Sequence, residues 1–335
     1  MNVRNWFGRR DIIGLAAAAL VQPRLAFAGE SDKVFRLAVL IRPGQEGEPG
    51  QAPYWLAWRD ELRQLGYVEG QNLKVDIRVA DPARLDETIA GLSAFHPDAI
   101  FVPAQTILSL LKKAGVSTPI VSIVVDPVGS GLAESLARPG GNITGFTLDA
   151  GLGIVAKRVE LLREIVPSMS RMAVLLLRPY WEGRWSAIYQ KIGEQFGISI
   201  IGALVESRMT EKDFRQIMAD AVRDGADSLY VTPAPENLAH RQLIADLAIE
   251  SGLPSINLFR EYVEAGGLLG YGPDIVDAYR RAANYLDLIY KGSDPAGMPF
   301  QQPTSFDLTL NLKTANALGL TIPPSLLALA NEVFE

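Results

Sequence analysis

Cysteine is absent from the 335 residues, and histidine occurs only at His96 and His240. Without cysteine there can be no disulfide, thiolate nucleophile, iron–sulfur cluster or Cys-ligated zinc. Two histidines leave little for a His-rich metal site, so no metal and no cofactor is expected. A net charge of −6, from 32 Lys+Arg against 38 Asp+Glu, comes without any basic run and argues against nucleic acid as a partner. Sequence signatures of catalysis are missing too. No Gly-x-Gly-x-x-Gly opens a helix after a strand, and there is no Walker lysine and no Gly-x-Ser-x-Gly elbow. Gly129-Ser130-Gly131 lacks the following glycine and reads as a turn. His96, before Pro97, reads as a helix cap, and His240 as a structural residue on a helix. The carboxylates are plentiful but are not paired at a motif spacing, and no enzyme is expected. Hydrophobic residues at 48% and charged residues at 21% exclude wholesale disorder, and the length admits two domains of roughly 150 residues.

The apolar run from Gly14 to Val21 is too short for a bilayer core of about 30 Å, which takes roughly 20 helical residues. It follows Arg9-Arg10 and precedes the small-residue pattern Ala26-Phe27-Ala28. Residues 1–28 therefore read as a signal peptide of the twin-arginine type, cut after Ala28; the other reading is an amphipathic core helix. Cleavage removes four arginines and one aspartate, taking the charge from −6 to −9. With no cysteine at the cut there is no lipid anchor, so the product is expected to be periplasmic, exported and soluble.

What remains contains one unit twice. Arg36-Leu37-Ala38-Val39-Leu40-Ile41-Arg42-Pro43 matches Arg171-Met172-Ala173-Val174-Leu175-Leu176-Leu177-Arg178-Pro179, each a buried-strand pattern ending in Arg-Pro. Aromatic-rich helices follow, Tyr54 to Leu65 before Gly66 and Trp185 to Phe196 before Gly197. Second strands (Leu73 to Val79; Ile198 to Val205), third strands (98–103; 227–233) and fourth strands opening at Thr118-Pro119 and Leu253-Pro254 match in the same order. Helices over Arg84 to Phe95 and Glu211 to Asp224 separate them. Two doubly wound α/β units are thus predicted. Further helices over Gly153 to Val166 and Ile275 to Tyr290, and a strand over Ser305 to Leu310, are left after both units are built. That surplus predicts a return to the first unit and a hinge of several connections.

Several long segments carry a family resemblance: Leu65-Gly66-Tyr67-Val68-Glu69-Gly70-Gln71-Asn72, Asp126-Pro127-Val128-Gly129-Ser130-Gly131-Leu132, the run from Ser135 to Gly145, and Phe259-Arg260-Glu261-Tyr262-Val263-Glu264-Ala265-Gly266-Gly267. Gln302-Pro303-Thr304, Asn311-Leu312-Lys313-Thr314-Ala315 and the run from Ala317 to Pro324 continue it. The chain resembles the ABC transporter substrate-binding proteins of the tryptophan/tyrosine-type branch. The resemblance implies a type I periplasmic-binding-protein fold, with two doubly wound parallel-sheet lobes closing on a small solute without catalysis. It also implies an ABC permease and ATPase in the inner membrane as partners of a monomer. Residues 33–147 plus about 270–297 would form lobe 1, and 148–269 plus about 298–335 lobe 2. A periplasmic sensor serving a receptor kinase or chemoreceptor could use the same clamp. A repressor's sensory domain would need a DNA-binding module where the signal peptide stands.

Ligands of open α/β sheets bind outside the carboxyl ends of the strands. On that rule the first lobe offers Arg42, Gln105 and Thr106, Asp126, and Thr144; the second offers Arg178, Tyr180, Trp181, Pro233 to Asn237, Asn257 and Tyr271. The family's first strands usually end in small or polar residues and in Asn-Pro, whereas here both end in Arg-Pro. Arg42 and Arg178 could clamp a carboxylate from opposite lobes, or pair at the rim with acids such as Glu46 and Glu182. Tyr54, Trp55, Tyr180 and Trp181 are candidate walls, and Trp58 and Trp185 read as core. Asp126 either binds an amine, making the solute an amino acid, or forms an Asx turn before Pro127, leaving an aromatic or aliphatic acid.

Overall fold

The computed structural model describes residues 33–335 apart from 44, 150–152 and 207; the export signal read over residues 1–28 lies outside the described residues. Aliphatic and β-branched runs form β1 (Phe35–Ile41), β2 (Leu73–Val79), β3 (Ala99–Val102), β4 (Ile120–Val124) and β5 (Ile143–Thr147). They make one parallel sheet in the order β2-β1-β3-β4-β5. The second sheet holds β6 (Arg171–Leu177), β7 (Ser199–Val205), β8 (Ser228–Val231), β9 (Ser255–Asn257), β10 (Leu269–Gly272), β11 (Asp307–Asn311) and β12 (Glu332–Phe334). Its order is β12-β11-β10-β9-β8-β6-β7, parallel except between β10 and β11. From β6 to β10 it repeats the winding of the first sheet, so the duplicated unit predicted from the sequence is present as two lobes.

Strands β3, β4, β5, β8 and β9 are buried along their whole length, whereas β2, at an edge, mixes buried and exposed positions. Strands buried on both faces need helices on both. Helices Pro53–Gln64 and Ile275–Tyr290 pack on one face of the first sheet, and Leu85–Phe95 and Gln105–Lys113 on the other. In the second lobe, Gly153–Ile165 and Ser186–Phe196 lie opposite Glu211–Arg223 and Arg241–Glu250. Local chemistry sets the helix ends. Thr210 and Asp213 form a reciprocal capping box, and Asp274 accepts the N–H groups of Val276 and Asp277. His96 ends its helix at φ +50°, its N–H on Leu92 O, in the capping role read from the sequence.

The chain passes between the lobes three times. After β10 it enters helix Ile275–Tyr290, which packs on the first lobe through Tyr67 Oη donating to Asp287 (2.9 Å) and Asn284 to Glu61 (3.1 Å). Residues 298–301 then run beside β5, where Thr144 Oγ1 donates to Met298 O (2.7 Å) and Gln301 N–H to Gly145 O (2.9 Å). Leu269 to Gly272 thus still belong to the second sheet, and residues 298–301 still lie beside the first. Pairing of Leu269 and Gly270 with β9 holds the first passage back, and pairing of 298–301 with β5 holds the second. Among the described residues no helix is long and apolar enough to cross a membrane.

One glycine permits the packing of β4 against β5. Gly145 has φ +144°, and a Cβ there would lie 1.9 Å from the Ser122 carbonyl oxygen. Gly145→Ala is accordingly expected to cost about 2–4 kcal/mol, beyond an ordinary Gly→Ala change, because backbone rather than a side-chain tip must move. Urea unfolding would measure it; a loss below about 1 kcal/mol would mean the two strands separate readily.

Candidate functional site

In each sheet the winding direction reverses beside the first strand of the unit, between β1 and β3 and between β6 and β8. Loops leaving such neighbouring strands in opposite directions open a crevice at their carboxyl ends. The two crevices meet in one cavity of about 100 Å³. The first lobe contributes Arg42 and Gln45 after β1, Pro103, Ala104 and Gln105 after β3, and Leu148 and Asp149 after β5. From the second come Leu176, Leu177 and Tyr180 after and along β6, and Thr232 to Pro235 after β8. Tyr54, Trp185, Tyr189, Tyr230, Phe259 and Tyr279 make much of the remaining wall aromatic. Arg42 and Asp149 are the charged side chains of this lining.

Arg42 is buried at 2% exposure and is held by polar partners. Its N–H donates to Gln45 Oε1 (3.1 Å) and its Nη1 to Thr106 Oγ1 (2.8 Å). Its other terminal nitrogen is ion-paired with Glu236, on the short helix Pro235–Ala239 of the opposite lobe. Burial pushes the Glu236 carboxyl above the usual range, with Arg42 drawing it back down. Burial likewise holds the Tyr180 hydroxyl well above its ordinary value; Arg42 acts against that shift and Glu236 adds to it. Beyond the pair lies a larger, polar cavity of about 480 Å³ lined by Arg42, Glu46, Asp81, Arg84, Arg208, Glu236 and His240 among others. Arg42 thus stands between an aromatic chamber and a charged mouth.

Asp149 is held differently. Its Oδ1 accepts from Arg158 Nη2 (2.7 Å), and the same guanidinium donates to Tyr230 Oη (3.1 Å) and Tyr271 O (2.7 Å). Arg158 is fully buried, so this network fixes the carboxylate from behind at the cavity wall.

Of the residues expected from the sequence, Arg42, Tyr54, Gln105, Tyr180 and Pro233 line the cavity, and Thr106 braces Arg42. Arg178 does not enter it. Leu177 leads straight into helix Arg178–Tyr180, which turns the arginine outward to Glu206 (2.6 Å) and Glu182 (3.8 Å). Of the two arginines expected to face each other across the lobes, Arg42 alone lines the cavity. Trp181 covers Gly202 of β7 and stacks on Tyr189 (6.4 Å between centroids), away from the cavity. Trp55 is core, packed edge-on to Trp58 and Phe101, whereas Trp185, read as core, faces the cavity. Thr144 spends its hydroxyl on Met298, and Tyr271 stacks on Phe306. Asn237 bonds Leu175 O and Thr232 O, and Asn257 bonds Val231 O while accepting from Phe259 N–H. These four are braces of the loops rather than cavity lining. Asp126 lies at the rim, accepting from Gly129 N–H (2.8 Å) and pairing with Arg184. Asp149 went unnamed in the sequence reading, and Glu236 fell within the Pro233-to-Asn237 loop without being singled out. Their only local signal is an acid placed within three residues or so of a buried strand or its Pro-initiated loop. Among the described residues no group of three His, Asp or Glu is placed to hold a metal ion.

Comparison with known proteins follows the same outline. The family described as "ABC transporter substrate binding protein" matches residues 57–334. A tyrosine-binding protein of Clostridioides difficile (strain R20291) is 23% identical over 272 residues, covering 77% of this chain and 74% of its own. The structure of a conserved domain protein from Vibrio cholerae O1 biovar El Tor superposes with a TM-score of 0.78 at 24% identity, over 90% of this chain and 100% of that one. An ABC domain from Streptococcus pneumonia in complex with L-Trp gives 0.77 at 21% identity, again over 90% and 100%.

Two further ion pairs join the lobes around the cavity, Asp126 with Arg184 and Asp81 with Arg208. Both are partly exposed, and pairs of that kind contribute about 0.2–1 kcal/mol. Arg184→Ala is expected to shift the lobes toward separation by no more than about fivefold, an effect that about 1 M salt erases. Small-angle scattering of the wild type and the variant at low and high salt would read it; equal curves at low salt would make the pair a passive rim contact.

Proposed function

The chain belongs to the ABC transporter substrate-binding protein family, and from that premise we propose that it captures a small carboxylate-bearing solute with an aromatic body outside the cytoplasm. Its two lobes form the type I periplasmic-binding-protein fold expected from the sequence. The loaded protein would then deliver its solute to an ABC permease and ATPase in the inner membrane. The protein's own contribution is binding and release by motion of one lobe against the other, without chemical conversion of the solute.

One observation carries this reading: an aromatic chamber between the strand ends whose charged lining is one arginine and one aspartate. A ring packs well against such walls, and the polar ends fix its orientation. Arg42 presents the electropositive end. It is reinforced by the start of helix Gln105–Lys113, whose cap position, Ala104, supplies no side-chain oxygen to satisfy the first N–H groups. Asp149, held by Arg158, presents the electronegative end. A carboxylate toward Arg42 and an ammonium toward Asp149 describe an amino acid with an aromatic body. The tyrosine-binding relative and the L-Trp complex support the same solute class. Asp149 takes over here the amine-binding role that the sequence offered to Asp126.

A thermal-shift screen of amino acids, aromatic acids, aliphatic acids and neutral sugars tests the class. L-tryptophan or L-tyrosine is expected to raise the melting temperature; stabilisation by sugars alone would refute the reading. Asp149→Asn is expected to weaken binding of the best amino acid by about tenfold or more, because a buried charge–charge contact is lost. Arg178→Ala is expected to leave its affinity within about twofold, as befits an exposed residue outside the cavity.

A further inference from the structure

The reading of the cavity as an amino-acid site leaves one conflict unresolved. The guanidinium that would receive the solute's carboxylate already has an anion on it, and that anion belongs to the protein. Glu236 comes from the opposite lobe, is 7% exposed, and meets Arg42 where the chamber gives way to the charged mouth. A buried arginine with one carboxylate is neutral; a second carboxylate brought to the same guanidinium is repelled by the first in a region shielded from water. We propose that Glu236 is a specificity-determining residue that holds the anion seat on Arg42, so that a solute carboxylate binds there only as Glu236 gives up the ion pair and takes a proton from solvent.

Glu236 is placed for such an exchange. It sits at the start of a five-residue helix, Pro235–Ala239, which begins at Pro235 and whose cap position has no side-chain hydrogen bond. The groups facing it are Arg42 from the first lobe, Tyr180 from the segment after β6, and His240, whose Nδ1 lies 2.9 Å from Glu236 O. Across the outer cavity stand Glu46, Asp81 and Arg84 of the first lobe and Arg208 of the second, with Asp81 and Arg208 paired to each other. Burial already favours the protonated carboxyl, and Arg42 is the main group opposing it. Taking Arg42 away from Glu236 therefore removes the principal reason for its charge. The proton is bound on association, so the affinity of a carboxylate solute falls as pH rises. A solute with an uncharged amide in place of the carboxylate leaves the pair intact and, once its own amine is fully protonated, gains nothing from acid.

This inference rests on the proposed solute class, and the probes separate the two. L-tryptophan and L-tryptophanamide differ in the disputed group, and they are compared about two pH units below the α-amino range, where both carry the ammonium. Calorimetric titration of the full protein in two buffers of different ionisation heat is expected to show close to one proton taken up with L-tryptophan and none with the amide. The tryptophan affinity should fall by up to about tenfold per pH unit above the range where Glu236 titrates. Glu236→Gln is expected to bind L-tryptophan about tenfold or more tightly, with the proton uptake gone, and to change the amide affinity by less than about threefold. His240→Gln should retain the uptake, which excludes the imidazole as its source. An unchanged acid-to-amide ratio in Glu236→Gln, or no uptake by the wild type, overturns the proposal and leaves the solute class standing. Loss of both ligands from Glu236→Gln places the ammonium on Glu236 and also overturns it. Binding of neither ligand to either protein refutes the solute class itself. Should Glu236→Gln fail to fold, the wild-type proton count decides alone.

Discussion

Everything in this molecule depends on the meeting of two parallel sheets at their carboxyl ends. A strand such as β3 is buried along its whole length and has no side chain to spare for chemistry. Polar function is then confined to the loops at the strand ends, and a single sheet can enclose a small molecule on one side only. Two sheets wound in the same order bring two sets of loops together, and the cavity exists because they confront each other. Each passage of the chain between the lobes keeps that confrontation in register while leaving the lobes able to separate.

Charges inside the cavity obey the cost of burial. Neither Arg42 nor Asp149 is left alone: Glu236 covers the first and Arg158 the second. Deleting one member of such a pair costs about 3–5 kcal/mol, far more than the pair itself contributes, because the other charge is then stranded. The two pairs differ in how the chain joins their members. Arg158 and Asp149 are nine residues apart, on either side of the passage between the lobes that follows β5. Arg42 and Glu236 belong to different lobes, so their pair exists only while the lobes are together, and it is the one a solute can contest.

Much of the fold was legible in the sequence because parallel strands leave a strong local trace: unbroken aliphatic runs, glycine at helix ends, and the same order repeated. The edge of the second sheet left none. Pairing of β11 antiparallel to β10, and of β12 beside it, joins segments whose own patterns say nothing of direction. The site was read less completely, for a related reason. Arg42 and Arg178 are equivalent in the repeat, yet one is folded inward by Gln45 and Thr106 and the other outward by a helix that begins at its own position. Trp55 and Trp185 exchanged their expected roles because one turn of helix separates a core face from a cavity face.

The sequence by itself determined the two units, the succession of strands and helices along each, the absence of thiol chemistry and the family. These are properties of composition and of short-range periodicity, and burial on both faces of a strand imposes them residue by residue. Tertiary structure alone decided which charges meet. Glu236 lies 194 residues from Arg42, and Asp81 lies 127 from Arg208. Coulomb attraction between such groups acts over a few ångströms once water is excluded, and only the apposition of the finished lobes brings them within that range.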